Sequence, residues 1–179
     1  VNGDGFEGTE VLHVEVHGGG RLYLDDNASL STDDITFDDD SEIDFFLTAD
    51  EGVHGTITTT GSIGALTIGN NARLSVTLDA ASFDGTEKTD FEYDGVINAG
   101  TITGAFTPGS VHGSPFFQLA IDYSPTVISD SVGANSASPA PDSTSVNLLL
   151  HRISFADLSC STSTQNNAAL GQMLEQAYQ

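Results

Sequence analysis

Three side chains near the N-terminus have the types and spacing of metal ligands. His13, Glu15 and His17 alternate with valines, so they project from one face of a predicted strand. Two imidazoles and a carboxylate are a common ligand set for transition-metal ions. Along a strand, however, His13 and His17 would lie about 13 Å apart, which is too far for one ion. We therefore interpret them as surface residues, with a two-ligand or intermolecular site as the alternative.

Acidic side chains that could bind calcium follow in the next part of the chain. Their carboxylate oxygens are hard ligands, and calcium is a hard cation. The Gly-Gly-x-Gly-x-Asp nonapeptide repeat of calcium-binding β-rolls is missing. We therefore expect solvated acidic corners and no cofactor, with weak calcium binding as the alternative. The candidate calcium ligands are Asp33, Asp34, Asp38, Asp39 and Asp40.

Two further patterns resemble catalytic motifs but lack their partners. The segment HGGG (17–20) is similar to the oxyanion-hole motif of esterases, yet the sequence has no Gly-x-Ser-x-Gly nucleophile elbow. Paired carboxylates such as Asp33 and Asp38 could act as acid and base on a polysaccharide. Enzymes of that kind need aromatic or basic platforms for the sugar, and the chain has no Trp. We predict no catalytic residues, and a carbohydrate-active enzyme is the less favoured alternative.

The charge of the chain restricts its partners. Asp and Glu number 26 against four Lys and Arg, which gives a formal net charge of −22. Nucleic acid is therefore excluded as a partner, because phosphate binding depends on clustered basic residues. Anionic membranes and polyanionic polysaccharides are disfavoured by the same field. Salt would screen the self-repulsion, so we expect a marine or halophilic source.

The apolar residues predict short strands. They recur in alternating bursts two to three residues wide and roughly 7–10 residues apart, separated by turn-forming Gly, Asn and Asp. This spacing is too tight for a sandwich of ordinary hairpins and suits about three short strands per turn. We predict an all-β fold, a right-handed parallel β-helix (β-solenoid) with Gly and Asn at its corners. The bursts contain Val14, Val16, Leu22, Leu24, Leu30, Ile35, Phe37, Ile43, Phe45, Ile57, Leu66, Ile68, Leu74, Val76 and Leu78.

The chain divides into three predicted parts. Residues 1–90 are expected to form β-helix rungs, and a weak internal duplication relates residues 19–45 to residues 61–84. Residues 91–160 are expected to form a C-terminal cap of longer strands around an exposed loop. Residues 161–179 are expected to form one short amphipathic helix, capped by Ser163 or Thr164.

The order of segments in the C-terminal half resembles the end of autotransporter passenger domains. The segments are FEYDGVINAGTITGAF (91–106), SPFFQLAIDYS (114–124), VNLLLHRISFADL (146–158) and STQNNAALGQMLEQA (163–177). The resemblance implies a β-helix that ends in an autochaperone cap, followed by a linker helix that threads an outer-membrane barrel. A barrel needs at least eight strands of about ten residues, which this sequence does not contain. We therefore expect the chain to be a cleaved passenger, a recombinant fragment, or a relative that uses the cap in another way.

The resemblance implies a non-catalytic structural or adhesive stalk on the surface of a Gram-negative bacterium. Its expected partners are the cell surface, matrix or like subunits, with an outer-membrane barrel at the C-terminus and no small-molecule substrate. In this family the cap templates folding during export, so Phe155 and Leu174 are expected to be needed for secretion. The second hypothesis is a self-assembling extracellular filament or matrix subunit.

Overall fold

The computed structural model describes residues 12–60, 64–84, 86, 88–123 and 144–153. These residues form mostly short strands, with one helix of a single turn. The first eight strands are β1 (His13–Val16), β2 (Arg21–Leu24), β3 (Ser29–Thr32), β4 (Asp34–Phe37), β5 (Glu42–Leu47), β6 (Thr56–Thr59), β7 (Ala65–Ile68) and β8 (Arg73–Leu78). They are followed by α1 (Ala80–Phe83), β9 (Asp90–Asn98), β10 (Thr101–Thr103), β11 (Thr107–His112), β12 (Phe117–Asp122) and β13 (Ser145–Arg152).

The strands form three sheets, which the chain visits in turn. Sheet A has the order β1-β4-β7-β10, sheet B has the order β11-β8-β5-β2, and sheet C has the order β12-β13-β9-β6-β3. One passage through sheets A, B and C is called a circuit here. Each of the strands β1 to β8 pairs in parallel with the strand one circuit later. The all-β prediction is thereby confirmed, and the sheets are largely parallel.

Apolar side chains of successive circuits stack in columns. In sheet A, Ile35 pairs with Val14 on one side and with Leu66 on the other. In sheet B, Ile43 pairs in the same way with Leu22 and Leu74. Ile35, Leu66, Ile43 and Leu74 are all completely buried. Each such side chain contributes about 1.5–3 kcal/mol through burial, so the columns are the main source of stability.

The corner between sheets A and B is built alike in the first three circuits. Gly19, Asp40 and Asn71 each stand three residues after the last residue of a sheet A strand, and each has a left-handed backbone with φ of 76°, 61° and 58°. The corners are also hydrogen-bonded to each other, since the amide of Gly19 donates to Asp40 O at 3.2 Å. Gly and Asn were expected at corners for this conformation, and Asp also tolerates it. The HGGG segment (17–20) forms the first of these corners.

The circuits have unequal lengths. His13 pairs with Asp34, 21 residues later, whereas Leu66 pairs with Ile102, 36 residues later. The extra residues lie mainly in the longer strands β8 and β9 and in the segment between them, which contains α1. The predicted internal duplication aligned residues 19–45 with residues 61–84. This alignment is wrong, because it places Leu22 of sheet B opposite Leu66 of sheet A. The strands of all three sheets have a similar apolar pattern, so the pattern alone does not show to which sheet a strand belongs.

Two elements were not predicted. Helix α1 begins after Asp79, whose carboxylate accepts a hydrogen bond from the amide of Ala81 at 3.3 Å. Strand β11 contains Pro108 and Gly109 and has an irregular register there. Parallel pairing continues through β10 and β11, whereas β13 pairs antiparallel with both β9 and β12. The helix predicted within 161–179 lies outside the described residues.

Shortening one side chain in the sheet A column should destabilise the fold strongly. Phe37 is completely buried, and its ring meets that of Phe106 edge-on at 5.1 Å. We expect Phe37→Ala to lower the free energy of unfolding by about 3–5 kcal/mol, because a cavity remains. Thr36→Ala, on the opposite face of the same strand, should change it by less than about 0.5 kcal/mol. Urea unfolding followed by circular dichroism measures both, and equal effects would contradict the assigned inward face.

Candidate functional site

The histidines at the start of the chain pair with aspartates of the next circuit. His13 lies beside Asp34 in the register of β1 and β4, and its Nδ1 is hydrogen-bonded to that carboxylate. His17, just after β1, donates from Nδ1 to Asp38 Oδ2 at 3.0 Å. These hydrogen bonds raise the pKa of both imidazoles above the usual value, with a further contribution from the charge of Glu15.

Glu15, His17 and Asp38 form a group that we call the Glu15–His17–Asp38 cluster. His17 Nδ1 is 3.7 Å from Glu15 Oε1, and the ligand atoms of all three residues lie within 4.8 Å of one another. In the described part of the chain, no other three His, Cys, Asp or Glu side chains meet in this way. The cluster is open to solvent, with 74% of the His17 side chain exposed. These residues could hold a metal ion.

The five candidate calcium ligands lie in two places. Asp33 and Asp34 are at the start of β4, and Asp38, Asp39 and Asp40 are in the corner that follows it. Because β4 is four residues long, these two groups are separated by about 13 Å. They therefore cannot share one calcium ion.

Several of these aspartates bind the backbone of a neighbouring circuit. Asp33 accepts a hydrogen bond from the amide of Leu12 at 2.6 Å, and Asp39 accepts one from the amide of Asn70 at 2.7 Å. Asp34 and Asp38 bind the two histidines described above. Calcium binding by any of them stays a prediction.

Sheet B carries a buried carboxylate on its outer face. Asp44 is only 1% exposed, although its neighbours Ile43 and Phe45 face the core. Its Oδ2 accepts a hydrogen bond from Thr77 at 3.0 Å and forms an ion pair with Arg21. Its Oδ1 has no hydrogen-bond partner among the described residues. Removal of Arg21 would leave this charge uncompensated, so the pair holds the first circuit to the second.

The last described strands close sheet C with antiparallel pairing. Strand β13 lies between β9 and β12 and is antiparallel to both. Its Leu148 and Leu150 are completely buried, opposite Tyr93 and Phe91 of β9. At the end of this ladder, His151 Nδ1 donates to Asp90 at 2.6 Å. We call β9, β12 and β13 the antiparallel cap.

Aromatic rings join the helix to the cap. Phe83 of α1 lies 4.9 Å from Phe91 and 5.2 Å from Phe117, measured between ring centroids. Contacts of this kind stabilise by about 0.5–1.5 kcal/mol beyond the area they bury. Tyr93 donates its hydroxyl to Thr48 O at 2.5 Å, and burial raises its pKa. The cap is therefore packed on the circuit before it and is continuous with the core.

Sequence reasoning missed both the cluster and the aromatic contact. It placed His17 and Asp38 in separate candidate sites, although the 21-residue offset that pairs His13 with Asp34 also pairs His17 with Asp38. If the circuit length had been known, the pairing of His17 with Asp38 could have been predicted. The helix that carries Phe83 could have been predicted from Asp79, a helix-capping residue that precedes two helix-forming alanines.

No protein-family profile, curated protein or solved structure matches this chain. The described residues include no helix with the length and apolar character needed to cross a membrane.

The hydrogen bond between Asp90 and His151 should give the cap a pH dependence. This bond lowers the pKa of Asp90 below its usual 3.8. The carboxylate therefore stabilises the fold above the unfolded pKa, and this contribution is lost as the pH falls through the folded value. We expect Asp90→Asn to cost less than about 1 kcal/mol at pH 7, because the side chains of His151 and Asp90 are 34% and 49% exposed.

Thermal unfolding of the wild type and Asp90→Asn at neutral and acid pH measures this effect. The difference in melting temperature should shrink at acid pH. Asp94→Asn, on the same strand, removes a carboxylate outside this hydrogen bond and is the control. A difference for Asp90→Asn that persists at low pH would contradict the assignment.

Proposed function

We propose that this chain is the C-terminal part of a non-catalytic extracellular stalk, built as a right-handed parallel β-helix. The observation that carries this proposal is the succession of parallel circuits ending in an antiparallel cap. Such an arrangement can be lengthened by adding circuits at the β1 end, while the cap closes sheet C at the other end. It is also the arrangement expected for the end of an autotransporter-like passenger domain.

The stacking supports a mechanical role. Each circuit is hydrogen-bonded to its neighbours through three sheets, and its apolar residues continue the columns of the next. The stability of such an array is approximately a sum over circuits and their interfaces. A rod of this kind can present an adhesive segment at a distance from the cell. The net charge of −22 keeps it soluble and separate from anionic surfaces.

The cap is the part best suited to start folding. Strands β9 and β13 are nine and eight residues long, whereas β1 to β4 have four residues each. A longer strand pair forms more hydrogen bonds and buries more area, which offsets the chain entropy that is lost when its strands come together. We propose that circuits are added from the cap toward β1 during export. A barrel beyond residue 179 would place this end at the outer membrane.

Folding kinetics test the role of the cap. Leu150 in the cap and Leu24 in the first circuit are both buried, at 0% and 3% exposure, so their replacement by alanine removes the same atoms. We expect Leu150→Ala to slow refolding, with a φ-value above about 0.5, and Leu24→Ala mainly to speed unfolding, with a φ-value below about 0.3. Stopped-flow refolding in urea measures both values. The reverse order would contradict folding from the cap.

A filament subunit is the second candidate, and the open edges favour it. Within the described residues, β1, β2 and β3 are the outermost strands of sheets A, B and C at one end, and β10 and β11 are outermost at the other. Unpaired strand edges invite addition of another chain. A second copy could therefore stack head to tail in parallel.

Electron microscopy separates the two candidates. We expect the purified chain to form single short rods in low and high salt, since the stalk is extended by circuits of its own polypeptide. Filaments that lengthen with protein concentration would instead support the second candidate. High salt is the sharper condition, because it screens the repulsion between acidic copies.

A further inference from the structure

We propose that Glu15, His17 and Asp38 bind a divalent transition-metal ion, with Zn²⁺ as the probe of choice. The site lies on the outer face of sheet A and joins the first circuit to the second. This metal site does not depend on the proposed stalk function, and it would give the stalk a ligand.

The two distances from His17 to the carboxylates are close to those between ligands of one ion, and all three ligand atoms lie within 4.8 Å of one another. Zinc binds imidazole nitrogen and carboxylate oxygen at about 2.0–2.2 Å, so two ligand atoms of a tetrahedral site are about 3.3 Å apart. His17 Nδ1 is 3.0 Å from Asp38 Oδ2 and 3.7 Å from Glu15 Oε1. Small rotations of exposed side chains would place all three atoms at bonding distance. Solvent access leaves the fourth position for a water molecule.

The backbone that carries the three ligands is held in place. Strands β1 and β4 pair in register, with Glu15 opposite Thr36 and Val16 opposite Phe37. Val16 and Phe37, which directly precede His17 and Asp38, are buried in the core. The two ligands that come from different circuits are therefore fixed relative to each other by strand pairing.

The donor set selects the kind of ion. Imidazole suits zinc and other transition metals, whereas calcium takes six to eight oxygen ligands. Two carboxylates would balance the charge of a divalent ion, which fits the surplus of acidic groups in this chain. The three side chains are thus better matched to Zn²⁺ than to Ca²⁺.

The chain contains a matched control for this site. His13 and Asp34 form the same kind of pair between β1 and β4, four residues earlier on each strand. Among the described residues, that pair has no third ligand atom within the same distance. His13→Ala therefore removes an equivalent imidazole without removing a ligand of the proposed site.

Calorimetric titration of the tag-free chain with ZnCl₂ tests the proposal. Cys160→Ser is used as the background, because a thiolate would itself bind zinc. We expect one ion per chain, and a loss of affinity of at least about tenfold, or about 1.4 kcal/mol, in His17→Ala. His13→Ala should stay within about twofold of the background. Glu15→Gln and Asp38→Asn should each weaken binding with the far-ultraviolet spectrum unchanged.

Thermal unfolding gives a second readout. Zinc should raise the melting temperature of the background and of His13→Ala, but not that of His17→Ala, because an ion bound only to the folded chain stabilises it. Equal losses of affinity in the two histidine variants would overturn the proposal. It would also be overturned by zinc binding that His17→Ala leaves unchanged, by no binding at all, or by tighter binding of CaCl₂ than of ZnCl₂.

Discussion

A circuit can stack on the next only if its strands return to the same register, and the corner between sheets A and B sets that return. Gly19, Asp40 and Asn71 take the left-handed conformation at equivalent places, so the chain turns by the same path in the first three circuits. The apolar columns of sheets A and B therefore align together. The core, the hydrogen bonds between circuits and the outer ladders of polar residues all depend on this repeated turn.

The two ends of the stack differ physically. At the β1 end, four-residue strands hold the first circuit through narrow ladders, an ion pair between Arg21 and Asp44, and the contacts of His13 and His17 with aspartates. At the other end, the cap strands β9 and β13 are longer and pair antiparallel, and aromatic rings pack beside α1. Stability is thus expected to rise toward the cap.

Much of the fold could be predicted from alternation of apolar residues. Pairs such as Ile35 with Phe37 and Ile43 with Phe45 identified both the strands and their inward faces. The circuit length could not be predicted, because the segment between sheets B and C grows from one circuit to the next. The Glu15–His17–Asp38 cluster was missed for the same reason, since its members meet only across a known register. Strand β11 was missed because Pro108 and Gly109 are atypical of strands.

Under tension along the polypeptide, the circuits would release unequal amounts of chain. The offset from His13 to Asp34 is 21 residues, and the offset from Leu66 to Ile102 is 36 residues. Fully extended, these correspond to about 7 nm and about 12 nm of contour length. The stack would lengthen in small increments near β1 and in larger ones near the cap. The longer segments between sheets B and C, which obscured the repeat in the sequence, would then supply additional length.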